Sequence, residues 1–295
     1  MPLSTRRKVQ IAKALYHLVM LPRRCLGLSD RVEAIRDGIR WQLELSEGID
    51  LALYLSVYEP STVRACRELV RPGTVVLDIG ANVGAHTLRL ARLVGPSGRV
   101  VAFEPTEFAF RKLHANLALN PELAGRVTPV QAMLTDRAGA APPPEIYSSW
   151  PLTSDSRVHA KHCGSLQSAA GARVVTLDLA LTELGLERVD FVKLDVDGFE
   201  CVVLEGARNT LEAWHPTIVL ELVPYHLEEA GRSLDDLVAI LQRAGYELFD
   251  LDTRAPLPRS LEALQATCMA DGGRNVLALP RVTPAPAESR EVRVE

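Results

Sequence analysis

The run Val75-Val76-Leu77-Asp78-Ile79-Gly80-Ala81-Asn82-Val83-Gly84 decides how the rest of this 295-residue chain is read. Residues 75–79 are apolar except for Asp78, and glycines at 80 and 84 mark a tight turn. Short continuous apolar runs belong to strands buried on both faces, as in parallel sheets covered by helices. A glycine turn between strand and helix lets the backbone approach a ligand, because no Cβ stands in the way. The helix expected next, over 84–94, presents N–H groups that favour negative charge.

Downstream the pattern alternates. Strands are expected at 100–103, 127–133, 191–194 and 218–222, with helices at 108–119, 200–209 and 234–244. A strand pair at 246–251 and 275–279 closes the sheet. Such alternation predicts an α/β fold: a doubly wound, mainly parallel seven-stranded Rossmann-like sheet between helices. Upstream, 38–45 alternates like a strand and 51–57 suits a short helix. Ser61 caps a helix over 62–70 that Pro72-Gly73 stops. The expected organisation is an N-terminal amphipathic helix and strand extension over 1–52, a main domain over 53–280, and a disordered tail over 281–295. Segment 138–172 is rich in Pro, Ser, Ala and Gly, yet carries Tyr147, Trp150, His159 and His162. It is too long for a simple connection and reads as an acceptor-binding loop that closes over the site.

A formal net charge of −4 and aromatic content of 5% argue against a nucleic-acid-binding surface. The five cysteines are odd in number and form no CxxC pair, so neither a disulfide framework nor a structural zinc site is expected. Reduced, buried thiols in a cytoplasmic protein are the plain reading. No apolar stretch is long enough to span a bilayer, and Lys13 and His17 interrupt any signal-peptide core. Residues 1–24 carry six Lys or Arg and no acid, with Ile11, Ala14, Leu15 and Leu18 on one helical face. That pattern suits peripheral contact with an anionic membrane. A helix packed on the protein's own core with a solvated basic edge is the preferred reading.

The turn and its neighbouring acids fit S-adenosylmethionine (SAM). Gly80, Asn82 and Gly84 shape the turn, and Asp78 before it is placed to hold the cationic amine. Thr87, one helical turn on, is placed to reach the ligand carboxylate. Glu104 at the next strand tip is placed to accept both ribose hydroxyls. Asp136, past the third strand, is a weaker candidate for the adenine amino group. A dinucleotide oxidoreductase fits less well, because Asn82 stands where GxGxxG needs its second glycine and Asp78 would sit beside a pyrophosphate.

These stretches resemble the FkbM family of methyltransferases. The likeness runs through VVLDIGANVGAHTL, VVAFEPTEFAFRKLHANLALN, VTLD, VDFVKLDVDGFECVVLEGA and PTIVLEL, in order between residues 75 and 222. Tyr58-Glu59-Pro60 and GYELFDL extend it on both sides, which adds Glu59 to the cofactor-binding set. In DVDGFE, Asp197 stands where the family has Glu, which keeps the charge and shortens the reach. The resemblance implies a SAM-dependent, usually O-directed methyltransferase domain over 53–280. Family members act on sugars, glycolipids, polyketides or other secondary metabolites.

An alcohol attacking a sulfonium methyl needs alignment, exclusion of water, and a base or metal. Asp195, at the tip of the fourth predicted strand, is the first choice of base, with Asp197 close behind. Glu221 and His226 are further candidates, while Glu200 reads as a first-turn acid complementing a helix dipole. Asp195, Asp197 and Glu221 offer hard oxygen ligands, but their spacing demands no divalent metal and none is assigned. His159, His162 and Cys163 make an incomplete zinc set. Two readings compete with this enzyme. A non-catalytic SAM-binding scaffold would lack the acid cluster after the fourth strand. A nucleic-acid methyltransferase would need a basic channel and stacking aromatics. The expected partner is a small-molecule or glycan acceptor, and the sequence is silent on oligomeric state.

Overall fold

A computed structural model describes residues 5–139, 142–153, 158–159, 161, 163–258, 260–268 and 273–281. The chain opens with helix α1 (Thr5–Cys25), the hairpin β1 (Arg31–Arg36) and β2 (Ile39–Glu44), α2 (Gly48–Tyr54) and α3 (Pro60–Leu69). There follow β3 (Val75–Ile79), α4 (Thr87–Val94), β4 (Arg99–Phe103), α5 (Glu107–Ala118), α6 (Pro121–Ala124), β5 (Val127–Val130) and β6 (Ala132–Leu134). The hairpin β7 (Glu145–Ser149) and β8 (Ser165–Ser168) precedes β9 (Arg173–Val175), α7 (Leu177–Glu183) and β10 (Phe191–Leu194). Helices α8 (Glu200–Glu205) and α9 (Arg208–Trp214) lead to β11 (Thr217–Leu222), α10 (Pro224–Glu229) and α11 (Leu234–Arg243). The last elements are β12 (Tyr246–Asp250), α12 (Leu261–Gln265) and β13 (Arg274–Pro280).

Seven strands form the central sheet in the order β12-β13-β11-β10-β3-β4-β5. Strands β11, β10, β3, β4 and β5 run parallel, and β13 pairs antiparallel with both β11 and β12. The doubly wound sheet expected from the alternation is therefore present. Side chains alternate across it. Leu77, Ile79, Val101, Phe103, Val192 and Leu194 face one buried layer, while Val76, Val100, Ala102 and Phe191 face the other. Residues of the N-terminal extension, Trp41 and Leu43 among them, pack into that second layer. Asn116 on α5 and Asn120, just before α6, hold β2 there, accepting from the Gln42 and Arg40 backbone N–H groups at 2.9 Å each.

Several element boundaries differ from expectation. Helix α4 begins at Thr87 rather than 84, because Asn82 (φ 47°) and Gly84 (φ 88°) take left-handed backbone that cannot enter a right-handed helix. The strand expected at 127–133 divides in two: β5 ends the main sheet and β6 pairs with β9. The helix expected at 200–209 breaks at Gly206-Ala207 into α8 and α9. A Cβ on Gly206 would collide with the Thr135 carbonyl, so the chain turns there against β6. On α1 the packed face carries Tyr16 and Met20, whereas Ile11 and Leu18 stand exposed. The expected disordered tail lies outside the described residues from 282 onward. Among the described residues no helix is long and apolar enough to cross a membrane.

Candidate active site

Chain order reverses direction between β3 and β10. The strands run outward through β4 and β5, then return to β10 and β11. Open α/β sheets bind ligands in the crevice at the carboxyl ends of strands around such a switch point. Here Asp195 N–H donates to the Ile79 carbonyl (3.1 Å) and Gly80 N–H to that of Phe103 (3.0 Å), closing three strand tips together. Gly80 has φ 82°, and a Cβ there would strike the Asp195 carbonyl oxygen. Only glycine fits between these two strands.

Register sets the charged row. Asp78 lies opposite Lys193 and Ala102, and Lys193 opposite Val219. Two residues further along each strand, on the same face, stand Glu104, Asp195 and Glu221. Lys193 is 4% exposed and its ammonium sits 3.2 Å from Asp195 Oδ2, 3.8 Å from Asp78 Oδ1 and 3.2 Å from the Gly80 carbonyl. Burial opposes its charge, but Asp195, Asp78 and Glu59 outweigh it and hold the pKa above that of an ordinary lysine. Sequence reading missed Lys193. The available signal was a cation inside an otherwise apolar strand, FVKL, where a buried charge must be paired.

A cavity of about 360 Å³ opens over this row, within the roughly 300–1,000 Å³ of small-molecule sites. Of the sequence candidates it brings together Glu59, Gly80, Asn82, Glu104, Asp195, Asp197, Glu221 and His226. Asp78, Gly84, Thr87 and Asp136 do not line it. Asp78 and Thr87 are fully buried below the floor, where Thr87 Oγ1 donates to Asp78 Oδ2 at 2.6 Å. Thr87 is thus spent on Asp78 and does not reach a ligand carboxylate. Asp78 meets the site at the Lys193 ammonium, 3.8 Å from its Oδ1. Gly84 serves packing, since a Cβ there would press on Leu113. Asp136 lies 3.4 Å from Arg137 in a separate shallow depression with Thr176 and Asp178.

Glu104 accepts at Oε1 from Thr106 N–H (2.9 Å) and Thr106 Oγ1 (2.6 Å), and at Oε2 from Asn82 N–H (2.9 Å). Burial raises its pKa and these donors pull against that rise. Glu59, also at the cavity, has its Oε2 2.9 Å from His86 Nε2. Burial would raise the Glu59 carboxyl, but His86 and Lys193 bring its pKa down to about 2. The opposite trend holds around Asp197. Burial, then Asp195, Glu200 and Glu221, push its carboxyl well above the usual range. Burial and Asp195 likewise raise Glu221 to about 8, and burial raises Glu200 to about 7. Glu200 accepts from the Val196 and Gly198 N–H groups (3.3 Å each), so it braces the loop as well as complementing a helix start. His226 Nδ1 stands 3.6 Å from Asp197 Oδ1, and burial lowers the imidazole pKa.

The segment 138–172 supplies a wall. Its β7–β8 hairpin places Ile146, Tyr147, Ser148 and Trp150 at the cavity. Asn82 Nδ2 donates to the Ser148 carbonyl (3.1 Å), and Ser149 Oγ to Glu47 Oε2 (3.0 Å). His159 packs on Tyr147, at 5.2 Å between ring centres, away from the lining; His162 is outside the described residues. Among the described residues no group of three His, Cys, Asp or Glu side chains is disposed to hold a metal.

Residues 78–248 match the family model of the methyltransferase FkbM domain, more than half of the chain. The chain belongs to the FkbM methyltransferase family. It is 29% identical over 212 residues to AMB antimetabolite synthetase AmbE of Pseudomonas aeruginosa, covering 60% of this chain and 10% of that protein. Methyltransferase sdnD of Sordaria araneosa is 29% identical over 190 residues, 53% of this chain and 72% of its own. The 31-O-demethyl-FK506 methyltransferase FkbM of Streptomyces tacrolimicus is 29% identical over 201 residues, 60% of this chain and 74% of its own. The chain thus spans only a tenth of AmbE but nearly three quarters of the other two. SAM, the methyl donor of this family, fits the residues present. Gly80 and Asn82 bring the turn's backbone to the cavity, and Glu104 Oε2 keeps a lone pair for a ligand hydroxyl. Phe103, Met133 and Leu134 supply an apolar wall, and the buried hydroxyl of Thr62 has no hydrogen-bond partner among the described residues.

Proposed function

We propose that this FkbM-family chain transfers a methyl group from SAM to a hydroxyl of a sugar, glycolipid or secondary metabolite, with His226 taking the proton. The observation that carries this is one cavity holding both the glycine turn with Glu104 and the His226–Asp197 pair. SAM supplies an activated methyl on a cationic sulfur. Glu104 holds the ribose, and Glu59, Tyr58 and Thr62 line the same cavity. His226 is held neutral by burial, which suits a proton acceptor near neutral pH. Asp197 orients the ring through Nδ1.

Asp195, the first choice from sequence, is engaged by the buried Lys193 ammonium, so protonating it would leave that ammonium short of a partner. We assign it to positioning, with Lys193. The name of the Streptomyces relative supports oxygen as the methyl acceptor. A nucleic-acid acceptor is disfavoured by the net charge of −4 and by the Glu59 and Asp195 carboxylates at the cavity, which would repel phosphate. The hairpin carrying Tyr147, Ser148 and Trp150 is assigned as the lid that selects the acceptor. The test is transfer of label from methyl-labelled SAM to glycosides and polyketide alcohols. His226→Asn is expected to lower turnover about 10²-fold, typical of a lost base, while SAM affinity holds. Wild-type turnover in His226→Asn, together with loss in Asp195→Asn, would move the base to Asp195.

A further inference from the structure

Helix α1 lies outside the family match and has two apolar faces, only one of which the fold uses. Tyr16 and Met20 are buried against the body, with Ala12, Leu15 and Val19 partly buried beside them. On the other face Ile11, Ala14, Leu18 and Leu21 follow spacings of three, four and three, which place them in one stripe. Ile11 is 47% exposed, Leu18 67% and Leu21 66%. Just past the helix the stripe is followed by Leu26 at 75% and Leu28 at 49%. Among the described residues, five of the eight large exposed apolar side chains fall in this short segment.

The charge around the stripe is of one sign. The first 29 residues hold six Lys or Arg and no acid, whereas the rest of the chain carries 27 basic against 37 acidic residues. Arg23 reaches the Ser29 carbonyl (2.9 Å) and Arg24 the Tyr16 hydroxyl (3.5 Å), which leaves both guanidinium groups at the surface edge of the helix. Lys13 lies between the stripe and the packed face. A second copy meeting this face about a two-fold axis would set one basic helix against another, whereas anionic lipid headgroups supply counter-charge along the whole face.

We infer that α1 docks in the plane of an anionic membrane surface, with Ile11, Leu18, Leu21, Leu26 and Leu28 in the acyl boundary and the basic residues on headgroup phosphates. An exposed apolar stripe flanked by Lys and Arg on a helix too polar to span is the signature of interfacial binding. Lys8, on the same helix, lines the methyl-transfer cavity, so docking sets that cavity beside the lipid surface. The expectation that α1 only packs on the protein's own core accounts for Tyr16 and Met20 and not for the opposite stripe.

The test is flotation of the full chain with vesicles of phosphatidylcholine alone or mixed with phosphatidylserine. Binding is expected to the mixed vesicles, to fall as salt rises, and to drop at least about tenfold in Leu18→Glu/Leu21→Glu. Circular dichroism and thermal unfolding of that variant should match wild type, since neither side chain is packed. Equal recovery with neutral and anionic vesicles would overturn the inference, as would a double variant that floats like wild type. So would a wild-type dimer that the double variant dissociates while neither protein floats, because the stripe would then be a self-association face.

Discussion

Lys193 is the residue on which the site's charge balance turns. Its ammonium lies 3.8 Å from Asp78, which is fully buried and has one oxygen without a hydrogen bond among the described residues. Lys193→Met removes that partner and leaves buried carboxylates uncompensated. Unfolding free energy in urea is expected to fall by about 3–5 kcal/mol. A loss below about 1 kcal/mol would show that Asp78 and Asp195 do not depend on it. Glu104 poses a separate question, since its interactions are made at the cavity rather than beneath it. Glu104→Ala should weaken SAM binding by about 1.5–3 kcal/mol in calorimetry, the range for hydrogen bonds to a charged group. Unchanged affinity would remove Glu104 from the ribose site.

The β7–β8 hairpin is the element that the sequence left least defined. Its composition reads as loop, and its aromatics have no periodicity. Pairing between Glu145–Ser149 and Ser165–Ser168 arises because the backbone can satisfy its own hydrogen bonds there, while Asn82 and Glu47 pin the tip of the first strand. Trp150 donates its backbone N–H to Glu47 Oε2 and accepts at its carbonyl from Gly48 N–H (2.8 Å). Its ring at the cavity is therefore carried on an anchored backbone. Trp150→Ala keeps that backbone and removes the ring. The acceptor KM is expected to rise roughly tenfold, the value of one aromatic contact, with SAM affinity unchanged. Normal kinetics for the variant would reduce the hairpin to a surface excursion.

At the scale of the whole molecule, the acid cluster makes stability depend on pH with an unusual sign. Glu221 and Glu200, ordinarily near 4.5, are raised to about 8 and about 7 in the folded chain. Between those limits the folded state keeps protons that the unfolded state has released. Their contribution is complete below about pH 4.5 and is lost as pH rises through 7 and 8. Glu59, lowered to about 2, does not titrate in this window. Thermal unfolding from about pH 5 to pH 9 should therefore show stability falling with pH, by at most about 1.4 kcal/mol per unit for each proton. Glu221→Gln, which cannot ionise, should flatten that slope. A slope identical to wild type would mean that Glu221 is solvated and titrates normally.

The sequence by itself determined the layered α/β architecture, because an apolar strand period and helix start signals are local and survive without neighbours. The run ending in Asp78-Ile79-Gly80 and the acids at 104, 195 and 221 placed the ligand edge, since strand tips are countable along the chain. Only the tertiary structure decided which of those groups meet. Register put Lys193 opposite Asp78, and the left-handed backbone at Asn82 and Gly84 delayed helix α4 so that Thr87 turned inward to Asp78. It also took Asp136 away from the cavity, because the chain leaves the main sheet after Val130 and β6 pairs with β9 instead. Pairings between residues more than a hundred positions apart, such as Lys193 with Gly80, leave no periodic trace in either segment. The two faces of α1 look alike as a pattern, and burial alone separated the one that packs from the one that faces outward.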